Sequence, residues 1–580
     1  NSLKMSFCLK NLFFFFLRKK KYNKRAMKKT KKLLTLSAVS AAAATVPFIA
    51  TACSSGIASL CDKLKHMEHP NGELINVEYA ELPNKNYNLF VHNKDLVGKY
   101  LTANHTKKDM ASITTTLKDY VTFPVKKYDW GSFIPAANIS DQGATSYTSI
   151  WLRDTVWNIM ALQAQGRTDE AKACTLSIMK YMSTKKQVDR MKAAIKTPKI
   201  VLQNKDGAMN AVHIRFNAAT ADLDDVYIDG KPEDWHHKQN DALGLYISLF
   251  IDFALANPTS VTDKDFQTLV YLVGYLNALE FYKMEDSGAW EEIEKVALSS
   301  VGCVVSAFQK LREAYGSNAT FKDAYDGALR TAQGIISTIK ASITTGTETG
   351  DVNVAIKNAI ENLIIPSIEG GGESVLYAPS DKEYRKADAA MLDLIYPMNI
   401  TDEYGFNIES KIKILAIVED NNNDFGIIRY KNDTYQSSDY WFRDVGSTNT
   451  EEDFIKREKA FVAGSEASWF FDSWMAICYG KVIEESKGKN ALSPTTTTWL
   501  TNKLHYHINK ALAFINKTGT YRGNGTQVAE DEISIPESYV VVIDPSDSTN
   551  WYHLASPVDP LRWAQSALIL MTSELGKILS

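Results

Sequence analysis

From about residue 105 onward, apolar residues recur at three- and four-residue spacing in window after window. That period gathers them on one face of a helix. It predicts helices near 107–120, 153–165, 168–186, 238–256, 262–283, 296–315, 321–343, 351–364, 384–396, 406–418, 463–486, 496–516 and 558–578. Thr168-Asp169-Glu170 and Thr262-Asp263 are expected to open helices, and Gly166 and Gly316 to mark where others stop. Few stretches carry a convincing strand pattern. The expectation is an all-α domain, a toroid of helical hairpins. A solenoid would also stack helices, but no repeat period runs through the chain. The longer loops, 187–236, 365–383, 419–462 and 517–557, are where function is expected on such a scaffold.

Ahead of the helical region the pattern changes. Lys28, Lys29, Lys31 and Lys32 form a basic segment after Met27, which reads as a translation start. Leu33 to Ile49 supply a small, apolar stretch, and Ala50-Thr51-Ala52-Cys53-Ser54-Ser55 follows. Small residues before one Cys resemble a bacterial lipobox, with Ala50 where Leu is commoner. The resemblance implies cleavage before Cys53 and lipid attachment to its thiol; a plain secretory signal is the other reading. Residues 1–52 are then an upstream segment and lipoprotein signal peptide. Residues 53–104, rich in Asn, Lys, His and Pro, read as a lipid-anchored tether and irregular lead-in, and 105–580 as the main domain. The expected location is the cell surface, on the outer face of the plasma membrane. No later segment reaches 18 uninterrupted apolar residues.

Composition narrows the chemistry. The chain has 580 residues, 45% of them hydrophobic and 23% charged, enough for a large core in one to three domains. A net charge of −3 argues against a nucleic-acid surface. Cys174, Cys303 and Cys478 fall in apolar helical patterns and read as buried thiols. No Cys/His spacing suits a metal, and the adjacent His236 and His237 lack a suitably spaced third ligand. Neither a metal nor an organic cofactor is expected.

The chemistry-bearing segments lie at element boundaries. Trp290-Glu291-Glu292 puts two carboxylates behind an indole. A neighbouring negative charge and desolvation both raise a carboxyl pKa, as a proton donor to a glycosidic oxygen requires. Alone, this segment equally suits a helix start, where acidic residues meet the positive end of the dipole. Trp151-Leu152-Arg153-Asp154 offers a fork of donors and an acceptor that suit vicinal sugar hydroxyls, or a local ion pair at a helix start. Trp235-His236-His237-Lys238-Gln239-Asn240-Asp241 reads as a loop entering the rim of a cleft. Arg429-Tyr430-Lys431-Asn432-Asp433-Thr434-Tyr435 adds a guanidinium and two rings in a polar loop, and Pro536 stiffens the approach to Glu537. The rings of Trp469-Phe470-Phe471 read as core.

The order of these segments resembles the glucoamylase family, glycoside hydrolase family 15, and its relatives among phosphorylase kinase regulatory subunits. Over roughly 105–580 the chain carries Trp-x-Arg-Asp, Lys-Gln-x-Asp-Ala-Leu-Gly, Trp-Glu-Glu, Arg-Tyr-x-x-Asp-x-Tyr, Pro-Glu and Pro-Leu-x-Trp-Ala in turn. The resemblance implies an (α/α)6 barrel and inverting exo-attack on α-glucans or oligosaccharides. It implies Glu291 as general acid and Glu537 as general base. Trp151, Arg153, Asp154, Trp290, Glu292 and Arg429 match positions that hold the sugar. Glu292 is expected to help keep Glu291 protonated. Gly288 stands where the family often has an acidic residue, with Asp286 nearby. The kinase-subunit likeness leaves an alternative, a glycan-binding lipoprotein that kept the barrel and lost turnover.

Overall fold

The computed structural model describes residues 46–580 apart from 83, 138–144, 204–206, 229, 336–338, 345–349, 447–450, 490, 491 and 530–532. The basic and apolar segment up to residue 45, expected to be a signal peptide, lies outside the described residues. Two units divide the chain, Asn1–Ala52 and Cys53–Ser580. Within the described residues the first contributes only the opening of helix α1 (Val46–Leu64).

The second unit is an (α/α)6 barrel. Its inner wall consists of α3 (Leu152–Ala164), α6 (Asn240–Ala256), α8 (Leu298–Ser317), a short 3-10 helix (Ala389–Leu394), α12 (Asp472–Lys489) and α14 (Arg562–Ile578). Each packs on the next, and α14 closes the ring on α3. Outside lie α2 (Lys107–Leu117), α4 (Thr168–Met182), α7 (Asp263–Ala278), α10 (Asp351–Ala359), α11 (Ile408–Val418) and α13 (Pro494–Ala513). Two further helices, α5 (Lys185–Lys196) and α9 (Ala319–Ile335), pack against α7. The inner helices are buried nearly all round, so their sequences are apolar on more than one face. Gly244 shows why α6 and α8 can approach so closely. A Cβ there would lie 2.6 Å from the carbonyl carbon of Cys303.

Several local expectations need correction. Thr262 does cap α7 through a reciprocal box with Asp265. Thr168 does not cap α4. Arg167 occupies that position without a side-chain cap, and its Nε donates to Glu170 at 2.6 Å. The 384–396 segment is helical only over Ala389–Leu394. The preceding residues are held extended, because Arg385 bridges Ser374 and the Ala389 N–H donates to Arg429 O. The loop after α4 contains α5, and 419–462 contains a helix at Glu451–Ala460.

The lead-in is not a tether. Cys53–Ser580 is one compact unit, and strands β1 (Glu73–Glu78) and β2 (Asn86–Val91) form an antiparallel hairpin within it. Val77, Leu89 and Val91 alternate inward into the main core, and β2 packs on α13. The last third of the chain also carries strands that its sequence pattern does not predict. A five-stranded antiparallel sheet joins β3 (Asn422–Asn423), β4 (Gly426–Ile427), β5 (Ser468–Trp469), β6 (Ser538–Ile543) and β7 (Trp551–Ala555), in that spatial order. No helix among the described residues is long and apolar enough to cross a membrane.

Candidate active site

One mouth of the barrel receives the N-terminal ends of the inner helices. Arg153 and Asp154 start α3, Asp241 starts α6, Trp290 precedes α8, Asp388 caps the 3-10 helix, Trp469 precedes α12 and Trp563 opens α14. Converging N-termini give this end a positive potential that favours carboxylates. A cavity of ≈ 380 Å³ opens there. The eight residues singled out by sequence, Trp151, Arg153, Asp154, Trp290, Glu291, Glu292, Arg429 and Glu537, all line it.

Glu291 follows a 3-10 turn and takes a left-handed backbone, φ 58° and ψ 40°. That conformation is uncommon for a residue with a side chain. Burial pushes its carboxyl up to about 7, against the nearby guanidinium groups of Arg153 and Arg215, with Asp154 adding to the rise. Arg153 Nη1 stands 3.5 Å from Glu291 Oε1. Glu292 is arranged differently from the sequence reading. Its Oε1 accepts from Arg429 Nη2 at 2.6 Å, its Oε2 accepts from Tyr430 Oη, and Arg385 Nη1 lies 3.5 Å away. Burial would raise this carboxyl, but Arg429, Arg385 and the Tyr430 hydroxyl hold it down to about 2. Glu292 therefore ties down Arg429 and Arg385. The negative charge of Asp154 adds to the Glu291 rise.

Glu537 stands immediately before β6, with its N–H donating to Val558 O at 2.9 Å. Tyr147 Oη donates to its two oxygens at 2.9 and 3.0 Å, and Gln436 Nε2 donates to Oε2 at 2.5 Å. Ser538 Oγ in turn donates to Gln436 Oε1. Burial lifts this carboxyl to about 7, against those donors and Arg429, and Asp154 lifts it further. Asp154 is itself raised to about 6 by burial, with Arg153 opposing.

The two arginines are mostly committed to protein. Arg153 donates from Nε to Asp241 at 2.6 Å and from Nη2 to Gln239 at 2.6 Å and Gly288 O at 3.3 Å. Arg429 donates from Nε and Nη2 to Asp433 at 2.6 and 2.7 Å, as well as to Glu292. Trp290 is fixed by its Nε1 donating to Asp388 at 2.7 Å, and its ring lies against Phe471 and Trp563. Asp286 does not replace the missing acid at Gly288. It accepts from the Asn240 N–H at 2.8 Å and fastens this turn to the start of α6.

Sequence reasoning missed other members of the site. Tyr147 lies four residues before Trp151, and Gln436 beside Tyr435, but neither stood out from its loop. Trp469 lines the cavity, whereas Phe470 and Phe471 are core as expected. Arg215 stacks 4.0 Å above the Trp235 ring and 5.2 Å from that of Trp151, completing the wall behind both indoles. Its signal was only an Arg within a long, mixed loop.

Comparison with known proteins adds the lineage. Among solved structures, the glucoamylase of Saccharomycopsis fibuligera is 13% identical, with a TM-score of 0.47 over 82% of this chain and 98% of that one. The glucoamylase of Hormoconis resinae is 11% identical, with a TM-score of 0.47 over 81% of this chain and 73% of that one. A protein of Escherichia coli (strain K12), "Uncharacterized lipoprotein YgeQ", is 37% identical over 215 residues, 35% of this chain and 79% of that protein. The family model described as glycosyl hydrolases family 15 matches residues 126–482, more than half of the chain. With that match spanning the inner helices from α3 to α8 and the Trp290-Glu291-Glu292 turn between them, the chain belongs to glycoside hydrolase family 15.

Proposed function

We propose that the protein is an exported, inverting, exo-acting α-glucosidase of the glucoamylase type, releasing terminal glucose from α-glucans or oligosaccharides. The observation that carries this reading is the arrival of Glu291 and Glu537 in one cavity from opposite parts of the chain. Glu537 lies beyond the residues matched by the family model, so its part rests on that placement.

In this reading Glu291 is the general acid. Burial keeps its proton available near neutral pH, and it gives that proton to the glycosidic oxygen as the C1–O bond breaks. Glu537 is the general base. Tyr147 and Gln436 donate to its carboxylate and so favour the ionised form that takes a proton from water. Water then adds to C1 from the opposite face in a single displacement, which needs carboxyl groups roughly 6.5–9.5 Å apart. Asp154 accepts no side-chain hydrogen bond among the described residues and offers its oxygens to sugar hydroxyls. Arg429 presents Nη1, and Trp151 and Trp290 offer apolar faces.

The same reading includes lipidation at Cys53, supported by the lipobox-like Ala50-Thr51-Ala52-Cys53 and by the name of the E. coli relative. The protein would then sit on the outer face of a membrane. Proton NMR of the anomeric signals during hydrolysis tests the chemistry. The expected first product is β-glucose, with Glu291→Gln and Glu537→Gln each losing at least about 100-fold in kcat. α-Glucose as first product, or full activity in either variant, would sink the proposal.

A further inference from the structure

Helix α1 and the rim of the cavity share one patch of surface. Tyr440 and Trp441 line the cavity, and Phe442 completes their 3-10 turn. The face of Phe442 packs with Ile57, Leu60, Cys61 and Leu64 of α1 against Val542, Tyr552 and Leu554. The fit begins at Gly56, where an added Cβ would lie 3.3 Å from Phe442 Cε1. It ends at Lys65, which pairs with Asp544 at 3.0 Å and donates to Ser546 Oγ at 2.9 Å. α1 is therefore fastened along its second half to β6, the strand that Glu537 precedes.

Cys53 lies only three residues before Gly56. Three residues rise about 4.5 Å as helix and reach at most about 11 Å when extended. A flexible tether of about fifty residues would instead have averaged roughly 40 Å. We propose that the cavity mouth works directly against a lipid surface, with no tether, and that this confines the enzyme to short soluble saccharides. The inference rests on the reading that Cys53 is lipidated. A short saccharide can reach the gap between rim and bilayer by diffusion. A long glucan coil must squeeze its chain end past both surfaces and loses conformational freedom in doing so.

The test uses the full lipoprotein in proteoliposomes. The described free cysteines Cys61, Cys174, Cys303 and Cys478 are buried, so introduced thiols can be labelled selectively. Thr526→Cys places a fluorophore beside Gly525, which neighbours Phe442 at the rim. Lys577→Cys places one at the far end of α14, whose 17 residues span about 25 Å. Acceptor lipids should quench the first at least about twice as strongly as the second. A 20-residue Gly-Ser linker inserted between Ser55 and Gly56, averaging roughly 25 Å, should abolish the difference.

Kinetics on the same vesicles provide the second arm. Relative to soluble Cys53→Ser protein, membrane-bound protein should keep its kcat/KM on a trisaccharide. On a long soluble glucan it should lose about five-fold or more, and the linker should restore the rate. Equal quenching at both positions, or an unchanged rate on the long glucan, would overturn the proposal. Metabolic incorporation of an alkynyl fatty acid separates the two readings. Absence of label on the wild-type chain overturns lipidation and this inference together; label with equal quenching overturns only this inference.

Discussion

Replacing Glu291 by Gln should stabilise the protein at alkaline pH and do almost nothing at acid pH. Burial raises this carboxyl from 4.5 to about 7, the opposing guanidinium groups included. The folded state therefore holds the proton in a range where the unfolded chain has released it. Stability from this group is fully present below pH 4.5 and is lost as pH rises through about 7. At 1.36 kcal/mol per tenfold in proton affinity, the displacement amounts to about 3 kcal/mol. Gln cannot ionise, so the variant escapes that loss. Near pH 4 the protonated acid and the amide have similar shape and charge. The assay is denaturant unfolding of wild type and Glu291→Gln at pH 4, 6 and 8. The expected gain is within about 0.5 kcal/mol of zero at pH 4 and close to 3 kcal/mol at pH 8. A gain of equal size at both ends, or a loss at pH 8, would refute the argument that burial dominates this carboxyl.

Three further changes probe the surroundings. Arg429→Met leaves Glu292 and Asp433 buried without their shared cation, and should cost about 3–5 kcal/mol in thermal or chemical unfolding. Gln436→Leu removes a donor from Glu537 and should move the acidic limb of kcat/KM to higher pH, read from a pH–rate profile; an unmoved limb would assign Gln436 no part in holding the charge. Gly244→Ala drives a methyl to 2.6 Å from Cys303 carbonyl carbon and should lower stability by about 1–3 kcal/mol, measured by the unfolding midpoint.

The helices were legible because their burial repeats every 3.6 residues, and the inner ones carry enough apolar surface to betray themselves. Boundaries set by tertiary bonds were not. Arg385 and Asp388 belong to a segment whose periodicity suits a helix, yet ion pairs and the Trp290 indole hold it extended. Strand β6 was missed although Val540-Val541-Val542 is a β-branched run, because every residue from Ser538 to Val542 is buried and no alternation survives. The hairpin β1–β2 hid in a polar stretch since only Val77, Leu89 and Val91 mark its inner face. At the site, residues in ordered motifs were found from sequence. Gln436 and Arg215 were not, because their importance lies in partners 101 residues away for one and in two indole rings for the other.

Asp154 offers the sharpest test of how the two glutamates are coupled. It is buried at the start of α3, and its negative charge adds to the burial that raises both Glu291 and Glu537. An inverting hydrolase needs one of these groups protonated and the other ionised at the same pH. Groups that both titrate near 7 lose their protons in steps that belong to the pair, so the singly protonated form peaks around neutrality. The pH profile of kcat/KM should therefore be bell-shaped about pH 7. In Asp154→Asn the shared charge is gone while the shape is kept. Both carboxyls then become stronger acids, and both limbs of the bell should move toward lower pH together. Loss of sugar contacts will lower the height of the bell, so position is the readout. Movement of one limb alone would mean that Asp154 acts on a single glutamate. Movement toward higher pH would mean that desolvation changes outweigh the removed charge.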